Sequence, residues 1–176
     1  KKKKFAILEY DQAQIAMVKR VGAIPVLSDI SDFVSKFNQG HVDMVGAPAY
    51  AFKPLEMEKG LGANGALFNF PVLNVTADLI FNTDKFPSQF GVQSRDWFIK
   101  QLPRQFAMVK RSEAAIPAKY RMELSKEEKE KYQKLLREGR IELTKQGVYD
   151  ATMMSVLKKA RCAVERTNFE CSISGE

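Results

Sequence analysis

With 176 residues, 45% of them hydrophobic and 10% aromatic, the chain has the composition of a folded globular protein rather than a disordered one. No run of about 18 apolar residues occurs, so the sequence contains no candidate membrane-spanning helix. A formal charge of +7 raises nucleic acid as a partner. Four of those charges are Lys1 to Lys4, however, and many others alternate with Glu127, Glu128, Glu130 and Glu138, the pattern of a solvated helix laced with i,i+4 pairs. Without an aromatic-studded basic strand or a Cys/His finger, nucleic acid is set aside.

The basic start at Lys1–Lys4 is followed by only Phe5–Leu8 before Glu9, too short an apolar core for a signal peptide. Lys3–Leu8 reads as a strand, with Glu9 and Tyr10 at its carboxyl end. Asp11 caps a helix whose Ala13, Ala16 and Met17 share a face before Gly22 stops it. Ala23–Leu27, with Pro25, suits an edge strand. Asp29 is the expected N-cap of a second helix, with Ile30, Phe33, Val34 and Phe37 on its buried face and Gly40 at its end. Val42–Val45 is then a third strand. This is a β-α-β-α-β order, which predicts parallel strands and a ligand at their carboxyl ends.

Ala49–Lys59 reads as a helix entered by Tyr50 and Phe52, with Pro54 early enough to be tolerated. Gly60–Gly65 matches GxGxxG letter for letter, but it follows a charged helical end and precedes Leu67–Pro71. The phosphate mechanism needs a strand before and a helix after, so a turn is expected instead. Leu67–Phe81 alternates through Leu73, Val75, Ala77, Leu79 and Phe81 as one or two strands. A polar loop follows, then helix from Asp96 to Leu124, interrupted at Pro103 and Pro117. Ser125 and Glu128 form a capping box opening a helix that ends at Gly139. Ile141–Leu143 reads as a short strand, and Val148–Val164 as an amphipathic helix with Met153, Val156, Leu157, Ala160 and Val164 in one stripe.

Cys162 and Cys171 are expected to close a short disulfide loop, giving the tail about 2–3 kcal/mol and implying an oxidising compartment. Two unrelated reduced thiols are the alternative. His41, the only histidine, sits in a polar turn, and no GxSxG, P-loop or HExxH is present. Glu56 and Glu58 point to opposite sides of a helix. No catalytic residue, metal ligand or cofactor is therefore expected, and the chain does not read as an enzyme.

Lys3-Lys4, Val21-Gly22-Ala23, Pro25-Val26, Ser28, Phe33-Val34, Gly40-His41-Val42-Asp43 and Pro48 together resemble the second lobe of periplasmic solute-binding proteins of the TRAP transporter type. The chain is also similar to a divergent group of solute-binding proteins described as RND-type efflux components in aminoglycoside resistance. The resemblance implies an α/β lobe of periplasmic-binding-protein type, with a mostly parallel sheet flanked by helices and long C-terminal helices. Residues 1–66 and 140–176 would form the second lobe, and 67–139 the crossover strand and helices. The first lobe would precede Lys1. A location in the periplasm of a Gram-negative bacterium is implied, with a small-molecule ligand, a membrane transporter or efflux components as partners, and no direct membrane insertion.

In that family an arginine on the first strand pins the ligand carboxylate and an asparagine precedes the proline of G-x-V-D-x-x-x-x-P. Here those positions hold Ala6 and Ala47, which predicts a ligand other than a simple carboxylate. The residues left at the strand ends are Glu9, Tyr10 and Asp11, then Tyr50 and Phe52, with Asn69 and Phe70 on the crossing segment. Acids and aromatics facing one crevice suit an apolar, amine-bearing or sugar-like guest. Core packing by Tyr10 and Phe52, with helix capping by Asp11, is the structural alternative. A protein-interaction module with a vestigial cleft is the alternative function.

Overall fold

A computed structural model describes residues 2–72 and 79–175 of the chain. It divides into two compact units, Lys1–Gly46 with Leu124–Glu176, and Ala47–Glu123.

The first unit is built on strand β1 (Lys4–Leu8), followed by helix α1 (Gln12–Arg20), strand β2 (Ile24–Ser28), helix α2 (Phe33–Asn38) and strand β3 (Met44–Val45). β1 lies in the middle of a β2-β1-β3 sheet and pairs parallel with both neighbours, Lys4 to Leu8 against Ile24 to Ser28 and Phe5-Ala6 against Met44-Val45. Successive strand residues point to opposite faces, so burial of both Ala6 and Ile7 means that β1 is covered on both sides. α1 packs on β1 and β2, and α2 on β1 and β3. The β1-to-β2 and β2-to-β3 crossovers run in opposite directions across the sheet, and right-handed connections then place α1 and α2 on opposite faces. The parallel α/β core expected from the sequence is present.

Helix α5 (Lys126–Lys145) opens with the capping box, Ser125 accepting from the Glu128 amide and the Glu128 carboxylate from that of Ser125. It packs on α1. Helix α6 (Ala151–Val164) is capped by Asp150. α1, α2 and α5 end alike: Gly22, Gly40 and Gly147 take φ of 74°, 74° and 73°, and the next amide bonds back five residues, as in Ala23 to Val18, His41 to Lys36 and Val148 to Leu143.

The second unit holds a short helix α3 (Glu58–Leu61), strand β4 (Leu67–Phe68), the long helix α4 (Phe90–Ala114) and strand β5 (Arg121–Met122), which pairs parallel with β4. Ala51, Phe52, Met57 and Ile116 are its buried apolar residues.

Several expectations are corrected. α2 starts three residues late, because Asp29 spends its carboxylate on an Asx turn to the Ser31 amide and hydroxyl at 2.8 and 2.7 Å. Ile30 therefore precedes the helix and is exposed. The single helix expected over Ala49–Lys59 is a 3-10 turn, Ala49–Ala51, and then turns as far as α3; Glu56, at φ 49°, cannot continue a right-handed helix. α4 runs through Pro103. A proline there supplies no amide to the Ile99 carbonyl, and the helix continues past it with none of its residues buried. α5 likewise runs through Gly139, so Ile141–Leu143 is helix and not strand. Leu79–Phe81 is not strand, and Leu73, Val75 and Ala77 lie outside the described residues.

Candidate ligand-binding site at the strand ends

The chain leaves β1 for β2 on one side and reaches β3 on the other, so a topological switch point lies between the carboxyl ends of β1 and β3. Open parallel sheets bind ligands there, because the diverging crossovers leave a crevice. Glu9, Tyr10 and Asp11 follow β1 at this point, and Gly46 follows β3. The Glu9 amide extends the ladder to Ser28 O at 3.1 Å, and the Asp11 amide closes the turn to Leu8 O at 3.0 Å. Asp11 is half-buried and accepts from the Gln14 amide at 2.9 Å, so it caps α1 while facing the same end of the sheet. Glu9 is exposed, and Tyr10 is 64% exposed.

Beside them, at the end of β2, the buried Ser28 hydroxyl donates to Val26 O at 3.1 Å and accepts from Lys36 Nζ at 3.2 Å. Lys36 also pairs with Asp32 at 2.9 Å. A serine beside a lysine raises nucleophilic chemistry, but a hydroxyl 2% exposed and beside an ammonium tied to a carboxylate cannot meet a substrate. This group anchors the loop between β2 and α2. The Ser31 hydrogen bonds hold the Asp29 carboxyl below its usual range.

The sheet is thus electrically polarised. At its amino ends stand Lys3 and Lys4, with Asp43 accepting from the Lys4 amide at 2.8 Å and pairing with Lys3 Nζ at 3.4 Å; the Lys4 bond foremost holds the Asp43 carboxyl low. At the carboxyl ends stand Glu9, Asp11, Asp29 and Asp32 against Lys36. A net charge of +7 conceals this local negative pole. These acids are spread along the edge, and among the described residues no His, Cys, Asp and Glu group could hold a metal ion.

Tyr149, which no sequence motif singles out, stands close enough to Asp11 to feel its charge. Burial first, then the Asp11 charge, push its phenol pKa up, with Arg140 opposing. A groove of about 600 Å³ runs between α1 and α5 over Ile15, Met17, Gly139 and Leu143, with Gln12, the residue after Asp11, also in its lining.

The whole chain, residues 1–176, matches the family described as solute-binding protein AdeT 1/2. The chain belongs to this family. It is 45% identical over 174 residues to a probable solute-binding protein AdeT1 of Acinetobacter baumannii, covering 99% of this chain and 57% of that protein. It is 29% identical over 171 residues to a probable solute-binding protein AdeT2 of the same organism, covering 97% of this chain and 72% of that one. The chain thus spans little more than half the length of the AdeT1 relative. No solved structure matches it significantly.

Within this AdeT-family chain, Glu9, Tyr10 and Asp11 are brought together on the first unit. Tyr50, Phe52, Asn69 and Phe70 belong to the second. Phe52 is 1% exposed and packs on Tyr120 with ring centroids 5.7 Å apart, so its ring fills the core of that unit. Asn69 donates its side-chain amide to Glu123, and its backbone amide bonds Met122 O at 3.1 Å, continuing the β4–β5 ladder. Tyr50 is half-exposed and Phe70 half-buried. Ala6 is a buried methyl in the central strand. The Cys162–Cys171 disulfide is formed, with Cα atoms 5.7 Å apart.

Proposed function

We propose that this chain is the ligand-holding lobe of a periplasmic solute-binding protein of TRAP-type ancestry, which passes a small molecule to a membrane transporter without chemistry of its own. The ligand carries an amine and is not a simple carboxylate. One observation carries this reading: the switch point between β1 and β3 is bordered by Glu9 and Asp11, in an edge where acids outnumber bases. A carboxylate ligand would meet like charge there, and the two family positions suited to holding one are alanines. An ammonium would gain charge-assisted hydrogen bonds, and Tyr10 offers a ring face for cation–π contact. The disulfide suits an oxidising compartment. Tyr50, Asn69 and Phe70, on the second unit, are proposed as ligand contacts of that unit, each to be tested by its own substitution.

Thermal-shift and calorimetric screens with amines, aminosugars and small carboxylates test this. Saturable amine binding that weakens in Glu9→Gln and Asp11→Asn is expected; the asparagine keeps the helix cap while removing the charge. Tight binding of a simple carboxylate would refute it. The exposed apolar residues Met153, Val156 and Leu157 of α6 favour a second reading, an efflux-associated interaction component. That reading predicts no shift with any solute and co-purification of an envelope protein.

A further inference from the structure

Helix α4 is the longest element among the described residues, and none of its 25 residues is buried. It touches the Ala49–Ala51 turn yet leaves a row of large apolar side chains in solvent. Phe98, Leu102 and Phe106 recur at i, i+4, i+8 with Ile99 beside them, each 44–61% exposed. Lys100, Arg104 and Arg111 form a stripe on roughly the opposite side. Trp97, 57% exposed, lies beside the basic stripe, and its ring reaches round to meet Phe98 edge-on at 5.1 Å. The helix carries five cations (the three above, Arg95 and Lys110) against Asp96 and Glu113, and 5 − 2 leaves +3.

We propose that α4 docks the protein onto an anionic phospholipid surface, laying its apolar row into the headgroup boundary with its basic side chains reaching lipid phosphates. Charge selects this occupant. A second copy would set +3 against +3, whereas an anionic bilayer attracts each exposed Lys and Arg. The side-chain types agree: an aromatic and aliphatic row and long basic side chains that can keep their charge at the interface are the marks of a helix lying in the membrane plane. Among the described residues no helix is long and apolar enough to cross a membrane, so α4 would lie on the bilayer. This inference does not depend on which solute the strand ends take.

Trp97 is the only tryptophan in the chain, so its emission reports on α4 alone. Titration with vesicles containing phosphatidylglycerol should shift that emission to the blue and bring the protein down with the vesicles; pure phosphatidylcholine should do neither. Lys100→Glu with Arg104→Glu should weaken binding roughly tenfold or more. Phe106→Ser should abolish the blue shift; should its circular dichroism reveal lost helix, the charge-reversed variant carries the test. No shift with anionic vesicles, or an equal one with phosphatidylcholine, would overturn the proposal. So would a blue shift that grows with protein concentration without lipid, since a second copy would then cover the face.

Discussion

The Met17 thioether of α1 occupies the space that a side chain on Gly139 of α5 would need: a Cβ there would lie 2.2 Å from Sδ and 3.0 Å from Cε. Gly139 is therefore a contact surface between two helices and not a helix end. Because Met17 is flexible, alanine at 139 forces the thioether aside without meeting backbone. Gly139→Ala should be close to neutral, with about 1 kcal/mol of helix propensity offset by the displaced methionine. In a Met17→Ala background the same change should stabilise by about 1 kcal/mol. Urea melts of the four proteins measure this coupling.

Glu170, 6% exposed, takes Arg140 at 2.6 Å and Arg161 at 3.2 Å. With the adjacent disulfide, it fastens the tail to α5 and α6. Glu170→Gln should cost about 2 kcal/mol, less than breaking a fully buried pair because Arg161 remains partly wet. Cys162→Ser with Cys171→Ser should cost about 2–3 kcal/mol. Hydrogen exchange should locate both losses first in residues 165–175. Unchanged protection there would contradict the clamp.

Hydrogen bonds hold the Asp29, Asp43 and Glu128 carboxyls below their ordinary range. A carboxylate whose folded pKa lies below its unfolded one contributes stability above the unfolded value, and that contribution disappears as pH falls through the folded value. Stability should therefore decline below about pH 4. Glu128→Gln should flatten the decline in a pH series of thermal melts.

Tyr149 behaves in the opposite sense. Its raised pKa keeps the neutral phenol in the folded state, so its contribution is intact below about pH 10 and is lost above it. In an absorbance titration it should ionise later than an ordinary tyrosine. Asp11→Asn should bring it down without displacing it fully, because burial remains the larger cause.

Apart from the start of α2, where Asp29 turns to Ser31, the first 48 residues were legible because local signals and the tertiary result agree: two apolar periods, the Asp11 cap and glycines at left-handed helix ends. The capping box at Ser125 and the cysteine pairing were equally local. Elsewhere the deciding partner was distant in sequence. Gly139 reads as a stop until Met17 is placed against it, and Pro103 reads as a break until α4 is known to be bathed in water. The β4–β5 pair joins two-residue strands more than 50 positions apart, and two residues carry no period. The negative pole at the strand ends was only half visible: Glu9 and Asp11 adjoin β1, but Asp29 and Asp32 join that edge only through the parallel alignment of β2.

Backbone amide NMR of the uniformly labelled protein, titrated with an amine ligand found by the screen, tests the proposed site most directly. The largest saturable shifts should fall on Glu9, Tyr10, Asp11 and Gly46, and should vanish in Asp11→Asn with Glu9→Gln while the spectrum stays folded. Shifts confined to the groove between α1 and α5, or unaffected by those substitutions, would contradict it.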